Sequence, residues 1–377
     1  MREAMDGTNE KIADFLFGSL GQLIRGKEDC LVLCGADTNG AVAAYLLERL
    51  FAELRPGVKR IYRAVQQSDI DLEWLPPLIQ NHPHMLVLLL DPPFPLTAEA
   101  QSTLANVEGM VIGSRVKKIS ESMINGGQAL ATAPGHWPEA LDSHPASIEL
   151  ALLTRASGLS LSDLEKLYVG AGAVSANEYR YSSLHTSSIT ILGGAQQPPP
   201  VEQVKILADG IDIHLGRYGR PDLERALRSL QSASATIRLD EGLRLIHSTL
   251  ELTAARQARE EDITKGLDYV EVRVGDGALV CATLPVESDC VDSVARIAAS
   301  RYPNHLFVLS SPTASHASIV VRKKGKEAGY FLALLNRQTH FYTPSVAGIL
   351  EKSAWAIVPS NEIAMFCDSL ASAYRQI

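Results

Sequence analysis

The chain has 377 residues, 46% of them hydrophobic and 21% charged, and a net charge of −8. That balance describes a globular protein with room for two or three cores, and its acidic surplus excludes any global attraction to nucleic acid or anionic membrane. No run approaches 18 apolar residues, no signal peptide is visible, and the five scattered cysteines form no C-x-x-C pair, so a membrane span, a zinc knuckle and a disulfide framework are not expected and the reducing cytoplasm is.

Taken in order, Lys11–Gly26 has the spacing of an amphipathic helix. Cys30–Cys34 is an uncharged run suited to a strand covered on both faces, and Gly40–Leu54 reads as the helix that follows it. Lys59–Val65 is a second strand, Asp69–Ile79 a helix that Pro76 and Pro77 must kink or end, and Met85–Leu90 a third strand tipped by Asp91. Ala98–Ala105 reads as a helix, and Met110–Gly113 as a strand that runs into the basic turn Ser114–Lys118. This alternation predicts a doubly wound parallel sheet. Helices are expected over Pro145–Ser157 and over Leu161–Val174, the latter capped by Ser160 or Ser162.

Gly193–Pro200 is the clearest linker, stiffened by three prolines. Val201–Thr264 is mostly helical, broken at Gly216–Pro221, and is a candidate docking element for a partner. The alternation of Tyr269–Val274, the turn Gly275–Gly277 and the run Ala278–Thr283 predict a β-hairpin. A helix at Val291–Ser300, strands at His305–Leu309, Ser318–Val321 and Tyr330–Leu335, and a closing helix at Asn361–Arg375 complete the series. The basic turn Lys323–Lys326 precedes the last of those strands. The expected organisation is a doubly wound α/β domain at 1–192, a linker and helical connector at 193–264, and a smaller α/β domain at 265–377.

Four polar segments fall on expected element ends: Asp37 with Asn39, Asp91, Gly113-Ser114-Arg115, and Ser175-Ala176 running on to Tyr181. In order and spacing they resemble the DHH phosphoesterase superfamily, in particular its RecJ-like branch. The motifs of that family read H-x-D-x-D-G, a lone Asp, D-H-H, and T-D-T-G-x-F-R-Y-S, and a DHH-associated domain follows. The resemblance covers most of 27–190 and, more weakly, 265–377. It sets Gly35 at the first His, Asp37 and Asn39 at the two Asp positions, and Asp91 at the lone Asp. It sets Gly113, Ser114 and Arg115 at D-H-H, and Ala176 at the Asp of the fourth motif, with Tyr179-Arg180-Tyr181-Ser182 kept. His316 survives from the glycine-rich G-G-G-H loop of the associated domain.

A two-metal phosphoesterase needs several carboxylate and imidazole ligands to hold its cations about 3.5–4 Å apart. Two aspartates and an amide do not supply that set. Arg115 adds positive charge where a cation would sit, although its guanidinium suits a phosphate oxygen. The resemblance therefore implies a catalytically inactive scaffold or binding subunit in DNA replication or repair, without a cofactor. Its model is the archaeal-type RecJ-like protein, similar to the inactive relative that joins MCM and GINS in the replicative helicase. Contact with single-stranded DNA would fall to Arg115, Lys117, Lys118, Arg180, His316, Arg322, Lys323, Lys324 and Lys326. The alternative is an active manganese- or magnesium-dependent phosphodiesterase, a 5′–3′ single-strand exonuclease with Asp37 and Asp91 as its ligands. A nucleotide sensor using the emptied cleft is a third reading, for which the sequence offers no pocket signature.

Each residue also has a plain structural reading. Asp37, Thr38 and Asn39 suit a helix cap. Asp91 suits the end of a strand. The basic segments suit solvated turns. Tyr179, Arg180 and Tyr181 suit packing beside the sheet as well as stacking on bases.

Overall fold

The computed structural model describes residues 18–65, 74–91, 102–113, 144–176, 201–215, 222–235, 241, 244, 250–311, 316–342, 344, 346–350 and 352–376. The chain divides into two compact units, Met1–Lys117 with Ala131–Thr253, and Lys118–Leu130 with Ala254–Ile377.

The first unit is built on four parallel strands, β1 (Asp29–Gly35), β2 (Lys59–Val65), β3 (Leu86–Leu90) and β4 (Glu108–Ile112), in the order β2-β1-β3-β4. Cys30 to Cys34 and Leu86 to Leu90 are buried without exception, on both faces of their strands. That accounts for their uninterrupted apolar character, which a half-exposed strand does not need. Helix α1 (Thr38–Leu54) follows β1 and buries Ala41 through Leu47 on every side. It lies against the sheet, and further helices cover its outer surface. The first three are α3 (Ala146–Ala156), α4 (Asp163–Ala176) and α5 (Val201–Leu215), and the fourth is α6 (Leu223–Ser234). Val204, Leu207 and Ile211 of α5, and Ala226 and Leu230 of α6, belong to the same core as Val32 and Leu88.

Local chemistry sets the ends of these helices. Of the two serines expected to cap α4, Ser162 is the one used. Its Oγ accepts from the Glu165 amide at 3.2 Å, and Glu165 Oε2 accepts from the Ser162 amide at 2.7 Å, a reciprocal capping box. The short helix α2 (Leu75–Asn81) carries Pro76 and Pro77 in its first turn. There a missing N–H costs nothing, so the prolines start this helix instead of ending it. The expected helix began at Asp69, and its first residues lie outside those described.

The second unit holds a five-stranded sheet in the order β5-β6-β7-β9-β8. Its strands are β5 (Leu279–Thr283), β6 (Leu306–Ser310), β7 (His316–Arg322), β8 (Val346–Leu350) and β9 (Ser353–Pro359). β5 and β6 run parallel, and the other neighbours are antiparallel. Helices α7 (Leu250–Glu271) and α8 (Ser288–Arg301) join one apolar cluster; α9 (Ala328–Gln338) and α10 (Ile363–Tyr374) join another.

Two expectations fail in this unit, and two strands were not foreseen. The hairpin over 269–283 does not exist. Tyr269 to Glu271 end α7, Val274–Asp276 is a 3-10 turn, and β5 pairs in parallel with β6 instead. Ile263, Leu267, Val270 and Val274 fall at helical spacing and pack into one cluster, whereas Val272 is 80% exposed. The alternation in the sequence was therefore the tail of a helical stripe. Tyr330–Leu335 is helix α9, not a strand, because Phe331, Leu334, Leu335 and Gln338 make one buried face at helical spacing. β8 and β9 were not foreseen, because Gly348 and the small residues around Trp355 blur their pattern. Gly348 sits where a Cβ would lie 2.6 Å from the Trp355 ring.

Candidate functional site

The strand order of the first unit reverses between β1 and β3, so the chain leaves their carboxyl ends in opposite directions. Such a switch point opens a crevice where ligands bind in doubly wound sheets. Gly35 ends β1 there, Asp37 and Asn39 follow it, Asp91 follows β3, and Gly113 follows the adjacent strand β4.

Asp37 is the N-cap of α1, its backbone extended at φ −145°, and its Oδ1 accepts from the Gly40 amide at 2.8 Å. Gly40 is needed because α1 starts hard against β1: a Cβ at that position would lie 2.1 Å from the Gly35 carbonyl oxygen. Thr38 Oγ1 donates to Asp212 Oδ1 at 2.5 Å and lies 2.9 Å from the Ala208 carbonyl, which pins α5 to the start of α1.

Asn39 is wholly buried and works in three directions. Its backbone begins α1, its Nδ2 donates to Asp91 Oδ2 at 2.8 Å, and its Oδ1 accepts from the Ser147 amide at 3.2 Å. The orientation of the amide follows from these partners. Turned over, it would set oxygen against carboxylate and N–H against N–H. Asp91 is 1% exposed and holds φ +46°, a conformation rare outside glycine. Its own amide donates to the Ile112 carbonyl at 2.8 Å. Gly113, beside it, has φ +105°, and its amide donates to Glu149 Oε2 at 2.9 Å. A Cβ on Gly113 would lie 2.6 Å from that of Asp91. Gly172 of α4 gives the same closeness from above, within 2.7 Å of Ser147 Oγ when a Cβ is placed on it.

Of the residues the sequence singled out, the fold gathers Asp37, Asn39, Asp91 and Gly113 at adjoining strand ends. Ala176, the fourth motif position, is the last residue of α4, one turn beyond Gly172. Ser114, Arg115, Lys117, Lys118 and Arg180 lie outside the described residues. Sequence reasoning missed Glu149 and Ser147. The available signal was a carboxylate and a hydroxyl inside the apolar run of α3, where both are fully buried.

Among the described residues, those at these strand ends do not fit a two-metal centre. One oxygen of each retained aspartate already accepts an N–H, Asp37 from Gly40 and Asp91 from Asn39. The Asn39 amide turns a donor, not a lone pair, toward Asp91. Among the described residues, no group of three or more His, Cys, Asp or Glu is placed to hold a metal.

In the second unit, the candidate nucleic-acid residues divide. Arg322 is buried and pairs with Asp292 at 3.1 Å, so it serves the fold. Lys323 Nζ donates to the Tyr374 hydroxyl at 2.8 Å and lies 5.0 Å from the centre of its ring. Lys326 Nζ lies 4.9 Å from the ring centre of Tyr330, and Lys324 is exposed at the same turn. Burial, and then the neighbouring Tyr374, push the Tyr330 hydroxyl up to about 12. Cation and aromatic therefore alternate around the β7–α9 turn. His316 begins β7, opposite Pro359.

No protein-family model matches this chain, and no curated protein does. Solved structures do. RecJ from Thermus thermophilus in complex with Mn2+ superposes at TM-score 0.58 with 14% identity, over 97% of this chain and 55% of that one. An exonuclease RecJ bound to manganese gives 0.56 at 15% identity, over 97% and 94%. The DHH domain of a member of a ribosomal-protein family gives 0.61 at 12%, over 100% and 92%. The chain thus spans just over half the length of the Thermus protein. Its fold is that of RecJ-like DHH proteins. Among the described residues, no helix is long and apolar enough to cross a membrane.

Proposed function

We propose that this chain is a catalytically inactive DHH-fold protein that serves as a scaffold or binding subunit in DNA replication or repair. The observation that carries this reading is the Asn39 amide, which closes the Asp91 carboxylate with a donor at the strand end where a RecJ-type centre needs a ligand. Arg115, in the slot of a metal-binding histidine in the resembling motif, points the same way by its charge. Manganese in the two RecJ structures belongs to those proteins; here Asn39 bonds the Asp91 carboxylate and the Ser147 amide.

Protein partners are the principal ligands in this reading. The acidic net charge of −8 favours them over bulk nucleic acid, and a replisome assembly of the MCM and GINS kind is the class proposed. Single-stranded DNA is a second ligand. It is contacted at the β7–α9 turn, where Lys323, Lys324 and Lys326 meet phosphates and Tyr330 and Tyr374 offer faces for bases.

The test is a manganese-supplemented assay on 5′-labelled single strands, run beside an Asp37→Ala/Asp91→Ala double variant. We expect no hydrolysis above that of the variant. Hydrolysis by the natural chain that the double variant abolishes would establish the exonuclease instead.

A further inference from the structure

β2 is an edge strand of the first sheet, and its backbone is bonded on one side. The Lys59 amide donates to the Glu28 carbonyl at 2.8 Å, and the Val65 carbonyl accepts from the Ala36 amide at 3.1 Å. Lys59, Ile61, Arg63 and Val65 therefore turn their backbone groups toward β1, and the alternation of a strand turns those of Arg60, Tyr62 and Ala64 outward. Among the described residues no second strand meets these outward groups, and the Tyr62 carbonyl has only a contact of 3.5 Å from the Arg63 guanidinium. The side chains divide in the same alternation. Arg60 and Tyr62 both turn to Glu48, at 2.8 Å and 2.5 Å. Lys59 and Arg63 are exposed with the partly buried Ile61 between them, and Arg55 is exposed just before the strand. Among the described residues, none of Arg55, Lys59 and Arg63 pairs with a carboxylate. In a chain of net charge −8, this strand is a local exception.

We propose that the β2 edge is a docking site for an extended acidic segment of a protein partner, which joins the sheet as a further strand. Outward N–H and C=O groups in alternation need a partner that both donates and accepts. A peptide backbone does both, whereas a phosphodiester backbone only accepts. Lys59, Ile61 and Arg63 lie on one face at two-residue spacing, the two cations about 13 Å apart by the rise of a strand. The matching segment carries carboxylates four residues apart with an apolar residue midway, because opposite charges across a strand pair stabilise it and like charges do the reverse. A second copy of β2 would set cation against cation. Lysine and arginine keep a sheet edge from pairing with its own copies in this way, and the same charges favour a strand of opposite sign. The edge is thus one surface of the binding subunit already proposed. It is tested without metal or nuclease substrate, so hydrolysis in the exonuclease assay would contradict inactivity, whereas the edge stands or falls on peptide binding.

The experiment uses the full chain and a labelled synthetic peptide that repeats Glu-Thr-Val-Thr, beside its counterpart with Lys for Glu. Fluorescence anisotropy should show the Glu peptide binding tighter than the Lys peptide by about tenfold or more, and Lys59→Glu/Arg63→Glu should reverse that order. Bound peptide should slow hydrogen exchange at the Arg60, Tyr62 and Ala64 amides, followed by nuclear magnetic resonance, while the Ile61 and Arg63 amides, which face β1, change little. Ala64→Pro removes one outward donor and spares the bonds to β1, as an edge strand allows, and should weaken the Glu peptide. Circular dichroism checks that each variant folds; where one does not, the exchange pattern of the natural chain decides. No binding of the Glu peptide, equal binding of the two peptides, or binding that leaves the three outward amides unprotected would overturn the proposal. Tighter binding of a labelled single-stranded oligonucleotide, lost in Lys59→Glu/Arg63→Glu, would overturn it in favour of nucleic acid.

Discussion

Asn39 ties the end of β3 to the start of α3 through Asp91 Oδ2 and the Ser147 amide. Removing its side chain leaves a buried carboxylate oxygen and a buried N–H without those partners, so Asn39→Ala should cost about 2–4 kcal/mol in chemical denaturation. Asn39→Asp tests the same contact by charge. Two carboxylates would then face each other out of water, one would be driven to hold its proton, and its pKa would rise. The penalty is absent where both are protonated and grows as the pH climbs, so the variant should lose more stability at pH 7 than at pH 4.5. Gly113→Ala should be worse than an ordinary surface change, costing on the order of 2 kcal/mol or more, because φ is +105° and the new Cβ would lie 2.6 Å from Asp91. Much of this was legible beforehand. Asp37 before a helix reads as a cap, and Asp91 at the tip of an apolar run reads as a strand end. Glu149 was not legible, because what makes a buried glutamate tolerable here is the Gly113 amide, which is 36 residues away.

At the scale of elements, the network that locks α4 to α1 gives a prediction in pH. The Tyr45 hydroxyl donates to Glu165 Oε1 at 2.6 Å, and Arg49 pairs with the same oxygen at 2.6 Å. Burial, then that bond, hold the Tyr45 hydroxyl well above its ordinary value of 10, and burial does the same for Tyr168, packed edge-on against it. The unfolded chain therefore gives up these protons first as the pH rises. The stabilisation is complete below pH 10 and is lost above it. Unfolding followed from pH 9 to 11.5 should show falling stability, with a shallower fall in Tyr45→Phe. Parallel strands and their helices were legible because a strand buried on both faces carries an unbroken apolar run. The second unit was misread where two periods coincide over a few residues. Six alternating residues at 269–274 fit a strand, and only contacts made by Ile263 and Leu267, further up the chain, mark them as the tail of a helix.

At the scale of the whole molecule, the first unit holds a closed polar centre and the second a basic–aromatic turn. Three lysines at that turn set the scale of any single-strand affinity. With about 0.7 counterion released per neutralised phosphate, the logarithm of affinity should fall with the logarithm of salt at a slope of roughly −2. Replacing Lys323, Lys324 and Lys326 together by Ala should abolish that dependence, read by fluorescence anisotropy of a labelled oligonucleotide. A fold shared with manganese-bearing RecJ structures makes the state of the first unit's centre the central claim. Direct titration of the chain with Mn2+, following free metal by electron paramagnetic resonance, tests it. No stoichiometric site tighter than about 1 mM is expected, the weak end of the range that oxygen-ligand cation sites span. One or two equivalents bound at micromolar concentration, and lost in Asp91→Ala, would contradict it.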